Sequence, residues 1–295
     1  MNLYYAVGGG LGHFSRALAF VHTHPELTPG NTVVMVADRY IYTLERHHFS
    51  ESEWGNLCTE KIPKRLFQQR NQFTRWLQQW VDEHGPEAIF LDTFPAGISG
   101  EWNDVDTGRS RICYVGRYLD WHAYAYPPML SFDQAYRTEV WHPDQEAVIS
   151  RCSRQIVSLA LHYPAASVPP SLLKQILDWQ QLGREVWAVV HSEPLEETEA
   201  LLSYARDKAA VIQSNPAFLV CCQQPFAIEA GVHAVALFPA YGLFPYVDRI
   251  ITAGGFNLIQ QTHAYQHKHW CMPFPRRYDD QFLRFKKRKE ANTNE

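Results

Sequence analysis

The chain has 295 residues, 46% of them hydrophobic and 20% charged, which is enough apolar material for the core of one large or two ordinary domains and excludes a globally disordered protein. The formal net charge of −4 gives no electrostatic reason to expect a nucleic-acid partner. No apolar run approaches the roughly 18 residues that a membrane-spanning helix needs, so we expect no transmembrane segment.

The start of the chain predicts a parallel sheet. Residues 3–7 form a compact apolar strand, a glycine-rich loop leads from Gly8 to His13 into a helix, and residues 32–37 form the next buried strand. This order of elements is typical of a doubly wound α/β sheet. An alternative is a nicotinamide or flavin site with Asp38 on the ribose, but the GxGxxG fingerprint has His13 in place of its third glycine.

The following stretch predicts two helices around a strand. Residues 40–49 and 63–84 are expected to be helical, and residues 57–62 to form a strand. Apolar side chains recur along the second helix at the spacing of one buried face. The basic residues of this helix, with Trp76 and Trp80, allow two interpretations: a solvated face with packed tryptophans, or a basic and aromatic surface.

Two further strands, residues 87–91 and 111–115, end next to polar side chains. Asp92 follows the first strand, and Arg117 and Asp120 follow the second. Residues just past the carboxyl ends of parallel strands face the ligand crevice of an open sheet. These three residues are therefore candidates for a functional site, although each could equally cap a helix or pair with a neighbour.

A proline-rich stretch divides the chain. After a loop at 124–129 and a strand at 155–161, residues 162–170 carry paired prolines that oppose both helix and sheet, which indicates a linker. A second, smaller series of strands and helices follows it. The predicted strands are 185–190, 218–222, 233–238, 249–252 and 269–272, and the predicted helices are 171–182, 195–206 and 276–288.

A second glycine turn lies late in the chain. The strand at 249–252 runs into Gly254 and Gly255, and Asn257 is a suitable cap for the helix that follows. A strand, a glycine turn and a helix bring backbone N–H groups and the positive end of a helix dipole to one point, which suits a diphosphate. The alternative is an ordinary connection between a strand and a helix.

Cysteine and histidine usage bears on compartment and metals. The six cysteines include no CxxC pair, so we expect reduced, mostly buried thiols in a cytoplasmic protein. Met1 leads straight into a strand, without room for a signal peptide. The 14 histidines include no HExxH motif and no Cys/His quartet, so we expect no bound metal.

Four motifs together give the chain a resemblance to a known family. They are the loop 8–13, the segment 238–248, the turn 252–257 and the stretch 273–281. In order and spacing they resemble the GT-B glycosyltransferases, and most of all the bacterial branch that includes the lipid-linked N-acetylglucosaminyltransferase of peptidoglycan synthesis. The resemblance covers both ends of the chain, whereas residues 25–230 match only in the alternation of predicted strands and helices.

The resemblance implies an α/β fold of two Rossmann-like βα domains that face each other across a cleft. Residues 1–164 would form the acceptor-side domain, and residues 165–275 a small domain that binds a nucleotide sugar. Residues 276–295 would form a helix that packs back on the first domain, followed by a polar tail.

The resemblance also implies a set of donor contacts. The residues that it would place around the donor are Gly9, Gly10, His191, Ser192, Gly254, Gly255, Asn257, Gln261, Asp280 and Gln281. The late glycine turn with Asn257 would lie against the diphosphate, and the N-terminal glycines would approach the sugar. Asp280 and Gln281 would reach the sugar hydroxyls, while His191 and Ser192 would line the cleft near the phosphates.

The chain departs from the family at Gln261. Family members usually have Glu there, and its carboxylate holds both ribose hydroxyls. An amide has a single carbonyl oxygen and a donor, so Gln261 could make one weaker bond. The departure leaves open a uridine donor, a different nucleotide or a lost activity.

The implied reaction is attack of an acceptor group on the anomeric carbon of a sugar, with loss of a nucleoside diphosphate and without a cofactor or metal. The donor is expected to be linked to UDP. The base would be His13, Asp92 or Asp120, and Arg117 would lie on the acceptor side. The acceptor could be a small molecule, a glycan or a lipid-linked group, and contact with a membrane surface is open.

Two alternatives to transfer remain at this point. One is a sugar-nucleotide epimerase or hydrolase on the same scaffold. The other is a catalytically silent homologue that binds a nucleotide or a partner protein, and the glutamine at position 261 favours it.

Overall fold

A computed structural model of the chain describes residues 1–8, 11–37, 57–192, 194–223 and 230–293. The predicted helix at 40–49, the alternative ribose acid Asp38 and two predicted donor contacts, Gly9 and Gly10, lie outside these ranges. The chain divides into two compact units, Met1–Pro164 with Arg276–Asp280, and Ala165–Pro275 with Gln281–Glu295.

The first unit contains a sheet of seven parallel strands. They are β1 Asn2–Tyr5, β2 Thr32–Ala37, β3 Cys58–Ile62, β4 Ala88–Asp92, β5 Arg111–Gly116, β6 Gln134–Arg137 and β7 Ile156–Ser158. Their order across the sheet is β3-β2-β1-β4-β5-β6-β7. Every residue of the central strands β1 and β4 is buried, as expected for a parallel sheet that is covered on both faces.

Three α-helices accompany this sheet among the described residues. They are α1 Leu11–Thr23, α2 Arg70–His84 and α3 Pro143–Cys152. The apolar face predicted for the second helix is confirmed, because Phe73, Leu77 and Val81 are buried in α2. The helix predicted over 63–84 is interrupted at Gln69, whose φ of −139° is not helical, so Lys64–Gln68 forms a separate 3-10 helix.

The sequence pattern does not predict β6 or α3. Strand β6 reads Gln-Ala-Tyr-Arg, so it lacks the apolar run on which strand prediction depends. Helix α3 begins after His142, whose side chain accepts from the amide of Asp144, although Ser, Thr, Asp and Asn are the usual caps.

The second unit contains a sheet of five parallel strands. They are β8 Val186–Val190, β9 Ala217–Cys221, β10 Val232–Val235, β11 Arg249–Thr252 and β12 His269–Cys271, in the order β10-β9-β8-β11-β12. Its helices are α4 Pro170–Gln181, α5 Leu195–Val211, α6 Phe256–Gln261 and α7 Gln281–Thr293. The predicted alternation of strands and helices in this half is therefore confirmed, and β11 has the predicted bounds.

The last helix differs from what the resemblance implies. It was expected from residue 276 onward, on the first domain, whereas α7 begins at Gln281 and belongs to the second unit; only Arg276–Asp280 lies in the first. Two polar contacts connect the start of α7 to the Gly254 turn. The carbonyl oxygen of the Gln281 side chain accepts from Gly254 N, and Arg284 donates to Gly254 O.

Two expectations about the whole chain can be compared with the structure. None of the described helices is long and apolar enough to cross a membrane. All six cysteines lie within the described residues as free thiols; four of them are buried, and Cys58 is exposed.

Candidate functional site

The carboxyl end of β4 carries a buried carboxylate with several donors around it. Asp92 is 1% exposed and is the last residue of the strand. Arg16, from α1, donates through Nε to Asp92 Oδ1 at 2.6 Å and through Nη2 to Oδ2 at 2.5 Å. The hydroxyl of Tyr4 donates to Oδ1 at 3.0 Å, and His13 Nδ1 lies 2.7 Å from Oδ2. The carboxylate is thus fully engaged within the first unit.

These contacts keep Asp92 ionised. Burial acts to raise the pKa of its carboxyl group, but the charge of Arg16 and the hydrogen bonds from His13 and Arg16 outweigh burial and lower the pKa to about 2. A carboxylate with so low a pKa, and with its oxygens occupied, is a poor proton acceptor for a substrate. The candidate base Asp92 is better assigned to orienting His13.

His13 is held in one tautomer by this carboxylate. Because ionised Asp92 can only accept, Nδ1 of His13 carries the proton and donates it, which leaves the lone pair on Nε2. In this tautomer the 3.2 Å approach of Arg16 Nη2 to Nδ1 is a contact between two donors. Burial lowers the pKa of His13 from its usual 6.5, although Asp92 raises it in part. The imidazole is therefore neutral at neutral pH.

Two neighbours fix the ring of His13 in place. Phe94 lies parallel to it, with ring centroids 5.9 Å apart. The second neighbour is Gly8. A Cβ atom added to Gly8 would lie 1.8 Å from His13 Nε2, so the ring occupies the space that any side chain at position 8 would need. The glycine loop of the sequence thus admits an imidazole next to the backbone at the end of β1.

The backbone that follows Asp92 is strained. Thr93 has a φ of 64°, in the left-handed region that β-branched residues rarely adopt. Its N–H donates to Val115 O, its carbonyl accepts from the Tyr114 hydroxyl, and its own hydroxyl accepts from Arg16. Such strain, held by surrounding contacts, is concentrated at functional sites.

Asp120 and Arg117 have internal partners. Asp120 Oδ1 accepts from the backbone N–H groups of His122 and Ala123 at 3.1 and 3.3 Å, so the candidate base Asp120 closes a turn. Arg117 lies 2.8 Å from Asp279 Oδ1, and both side chains are nearly buried. The predicted acceptor-side cation is therefore paired with a carboxylate of the same unit.

The Gly254 turn is held by side chains of α7. Gln281 Oε1 accepts from Gly254 N and from Phe274 N, both at 3.0 Å, and Arg284 Nη1 donates to Gly254 O at 2.8 Å. The amide of Gly254 is thus used inside the protein, where we expected it to bind a diphosphate. Gln281, expected to reach the sugar hydroxyls, uses its carbonyl oxygen to hold the turn.

The two glycines of this turn differ in their surroundings. A Cβ at Gly254 would lie 3.1 Å from both Cβ and the carbonyl oxygen of Gln281, whereas a Cβ at Gly255 would meet nothing within 4 Å. Gly255 is the N-cap of α6, with φ −66° and ψ 146°. The prediction that Asn257 caps this helix is wrong, because the cap is Gly255 and α6 begins at Phe256, two residues earlier than predicted.

A second polar cluster supports the far end of α6. His269 lies 2.8 Å from Thr252 Oγ1 through Nε2 and 3.1 Å from Thr262 Oγ1 through Nδ1. Arg288 donates to the hydroxyl and the carbonyl oxygen of Thr262 at 2.9 and 3.2 Å. Gln261, the predicted ribose contact, is partly exposed at the last position of α6.

The remaining predicted donor contacts of the second unit follow β8. His191 is buried, and its Nε2 lies 2.9 Å from Glu197 Oε2. Ser192 is partly exposed. Asp280, which we expected next to Gln281 on the sugar, belongs to the first unit, whereas Gln281 belongs to the second.

Sequence reasoning missed the arginines of both regions. Arg16 follows His13 by three positions, so both lie on one face of α1, and this spacing is a usable signal. Gln281, Arg284 and Arg288 recur at spacings of three and four along α7, which indicates one polar face. Nothing in the sequence indicates that this face binds the backbone groups of Gly254 and Thr262.

Comparisons with known proteins agree with this architecture. No protein-family model and no curated sequence matches the chain. Among solved structures, the glycotransferase of kitacinnamycin is similar with 12% identity and a TM-score of 0.53, and the alignment covers 96% of this chain and 83% of that one. The chain has the GT-B fold. The fold class predicted from the sequence, two Rossmann-like βα domains, is thereby confirmed.

Other similar structures are also glycosyltransferases. SnogD from Streptomyces nogalater has 14% identity and a TM-score of 0.49, and the alignment covers 94% of this chain and 83% of that one. The spinosyn rhamnosyltransferase SpnG has 9% identity and a TM-score of 0.49, with 100% and 92% covered. The likeness does not single out the peptidoglycan branch that the motifs resemble.

Proposed function

We propose that this protein is a glycosyltransferase that moves a sugar from a nucleoside-diphosphate sugar to an acceptor hydroxyl. The observation that carries the proposal is the buried pair of His13 and Asp92 at the carboxyl end of β4, which presents a neutral imidazole with its lone pair on Nε2. The GT-B fold supports it.

In the proposed reaction, His13 Nε2 removes the proton of the acceptor hydroxyl. The oxygen then forms a bond to the anomeric carbon, and the bond from that carbon to the phosphate oxygen breaks. The nucleoside diphosphate leaves with the electron pair of that bond. Asp92 stabilises the imidazolium that forms, and it does so as a carboxylate because its pKa is about 2.

We propose that the second unit binds the donor next to the Gly254-Gly255 turn. The open space next to Gly255 supports a ligand there. Asn257, Gln261, His191 and Ser192 are the proposed side-chain contacts. With one carbonyl oxygen, Gln261 would hold a single ribose hydroxyl, and uridine is the expected base. The proposed transfer needs no cofactor or metal.

The acceptor side belongs to the first unit in this proposal. Arg117, fixed by Asp279, is the proposed contact to an acceptor that is a small molecule, a glycan or a lipid-linked group. We place the protein in the cytoplasm, which is supported by its six free cysteines.

The proposal is tested by incubating the protein with a panel of nucleoside-diphosphate sugars, each with and without a mixture of candidate acceptors. Mass spectrometry then detects the glycosylated acceptor and the released diphosphate. We expect release of the diphosphate to require an acceptor. His13→Ala should lower turnover at least about a hundredfold, as loss of a general base does. His22→Ala, an exposed histidine on the same helix, is the matched control.

Other outcomes would replace the proposal. Diphosphate and free sugar released without an acceptor would indicate a hydrolase, and a changed sugar nucleotide with no diphosphate would indicate an epimerase. Nucleotide binding in a thermal-shift assay without any turnover would indicate a silent homologue. Wild-type turnover in His13→Ala would remove this residue from the mechanism.

A further inference from the structure

Three metal-ligating side chains meet at the carboxyl edge of the first sheet, apart from the His13 pair. His122 lies on the loop after β5, and His142 and Asp144 lie where the connection after β6 enters α3. One ligand atom from each of the three lies within 4.8 Å of the others. No sequence motif predicts this trio, because the two histidines are 20 positions apart.

The distances are close to those of a tetrahedral site. His122 Nε2 is 3.4 Å and His142 Nδ1 is 3.7 Å from Asp144 Oδ2. Bonds of about 2.0–2.1 Å in a tetrahedron place ligand atoms roughly 3.3 Å apart. The side chains of His122 and Asp144 are 75% and 55% exposed, so both can rotate enough to bring their ligand atoms to the tetrahedral spacing.

His142 supplies the fixed member of the trio. Its side chain is only 18% exposed, and its ring lies edge-on to that of His122 with centroids 5.0 Å apart. Nδ1 accepts from Asp144 N at 3.2 Å, a long hydrogen bond. A metal ion at Nδ1 would replace that bond, and the exposed amide of Asp144 could then bind water.

We propose that His122, His142 and Asp144 bind one Zn²⁺ or a similar borderline divalent ion, with water in the open position. Two imidazoles and one carboxylate suit zinc, nickel or copper, whereas Mg²⁺ and Ca²⁺ prefer sites made of oxygen. The positive end of α3 opposes a cation, but the full charge of Asp144 is larger than the partial charge of a helix end.

Metal binding at this site would join two segments of the acceptor-side unit. The loop after β5 carries Arg117 and the turn at Asp120, and α3 begins with Asp144 in its first turn. A bound ion would fix the one against the other. The inference does not rest on the proposed sugar transfer, because no ligand of the site takes part in it.

The test is equilibrium dialysis of tag-free protein, freed of metal, against Zn²⁺ and separately against Mg²⁺, with the bound metal measured by mass spectrometry. We expect one Zn²⁺ per chain, no Mg²⁺, and a rise in Tm with Zn²⁺. His122→Ala and Asp144→Asn should each weaken zinc binding at least about tenfold, since changes even outside the ligand set have effects of that size. His267→Ala, at an exposed histidine of the second unit, should bind as the wild type does.

Circular dichroism shows whether each variant folds, and Asp144→Asn retains the hydrogen bond from the backbone to His142. Zinc binding that is unchanged in both folded variants would overturn the proposal. Equal binding of Mg²⁺ and Zn²⁺, or less than one zinc per chain at saturation, would overturn it as well.

Discussion

The two units use buried polar side chains at the carboxyl edges of their sheets in opposite ways. In the first unit, strand pairing fixes the backbone, and Asp92 and Arg16 orient the side chain of His13. In the second, Gln281 and Arg284 bind backbone groups of the Gly254 turn. The polar contacts of the first unit thus orient a side chain, whereas those of the second fix a backbone turn.

The largest effect is expected when the buried pair of Asp92 and Arg16 in the first unit is broken. Asp92→Ala leaves the buried guanidinium of Arg16 without its carboxylate, and such a loss costs about 3–5 kcal/mol of unfolding free energy. The measurement is urea unfolding. Asp104→Ala is the matched control, because Asp104 pairs with Arg70 on the exposed surface, where a pair contributes about 0–1 kcal/mol. Equal losses in the two variants would contradict the buried-pair account.

Acid should affect the second unit through His269. Burial lowers the pKa of this histidine to about 3, and the charge of Arg288 lowers it further. A lowered histidine pKa stabilises the folded state above about pH 6.5, and this contribution is lost as the pH falls toward 3. One pKa unit corresponds to about 1.4 kcal/mol, so the loss between pH 6.5 and pH 4 is roughly 3.5 kcal/mol.

Asp92 responds in a lower window. The pKa of Asp92 is lowered to about 2, so its contribution to folding stability is complete above about pH 4 and lost as the pH falls to 2.

The His269 prediction is tested above the window of Asp92. Urea midpoints measured between pH 7.5 and 4 should fall more steeply in the wild type than in His269→Gln. His267→Gln, an exposed neighbour, should leave the slope unchanged. Identical slopes in all three proteins would show that His269 is not buried in its neutral form.

The contact of Arg284 with the Gly254 turn should make a measurable contribution to stability. Arg284→Met keeps most of the side-chain volume but removes the charged donor to the carbonyl of Gly254, which is worth about 1.5–3 kcal/mol of stability. Lys286→Met removes the same charge from an exposed position of α7 and should cost little. If the two variants are equally stable, α7 does not fix the turn.

The smallest effect is expected from alanine substitutions at Gly254 and Gly255. Gly254→Ala meets Gln281 at 3.1 Å and should cost about 1 kcal/mol of stability through overpacking. Gly255→Ala enters open space at a φ of −66°, so it should be neutral or slightly stabilising. The backbone at position 255 therefore does not itself require glycine. In folded Gly255→Ala, weaker nucleotide binding would locate the ligand next to this turn, whereas greater destabilisation than in Gly254→Ala would contradict the geometry.

Local patterns predict the fold well but leave the long-range contacts of the site undetermined. The strand 249–252 and the buried face of α2 follow from spacing alone. The position of Asp92 past a strand likewise indicates a site. That Asp92 is ionised and holds the ring of His13 depends on Arg16, which is 76 positions away in the chain. Gln281 reaches Gly254 across 27 positions, and no local period carries that information.

The central claim is that burial holds His13 neutral and that Asp92 holds its proton on Nδ1. Nitrogen NMR of the labelled imidazole, with His13→Gln used to assign the signals, measures both the tautomer and the pKa. We predict a proton on Nδ1 at neutral pH and a titration midpoint below 6.5. A proton on Nε2 would contradict the account, because the free lone pair would then face Asp92. A midpoint above 6.5 would contradict it as well, because burial would then not lower the pKa of His13.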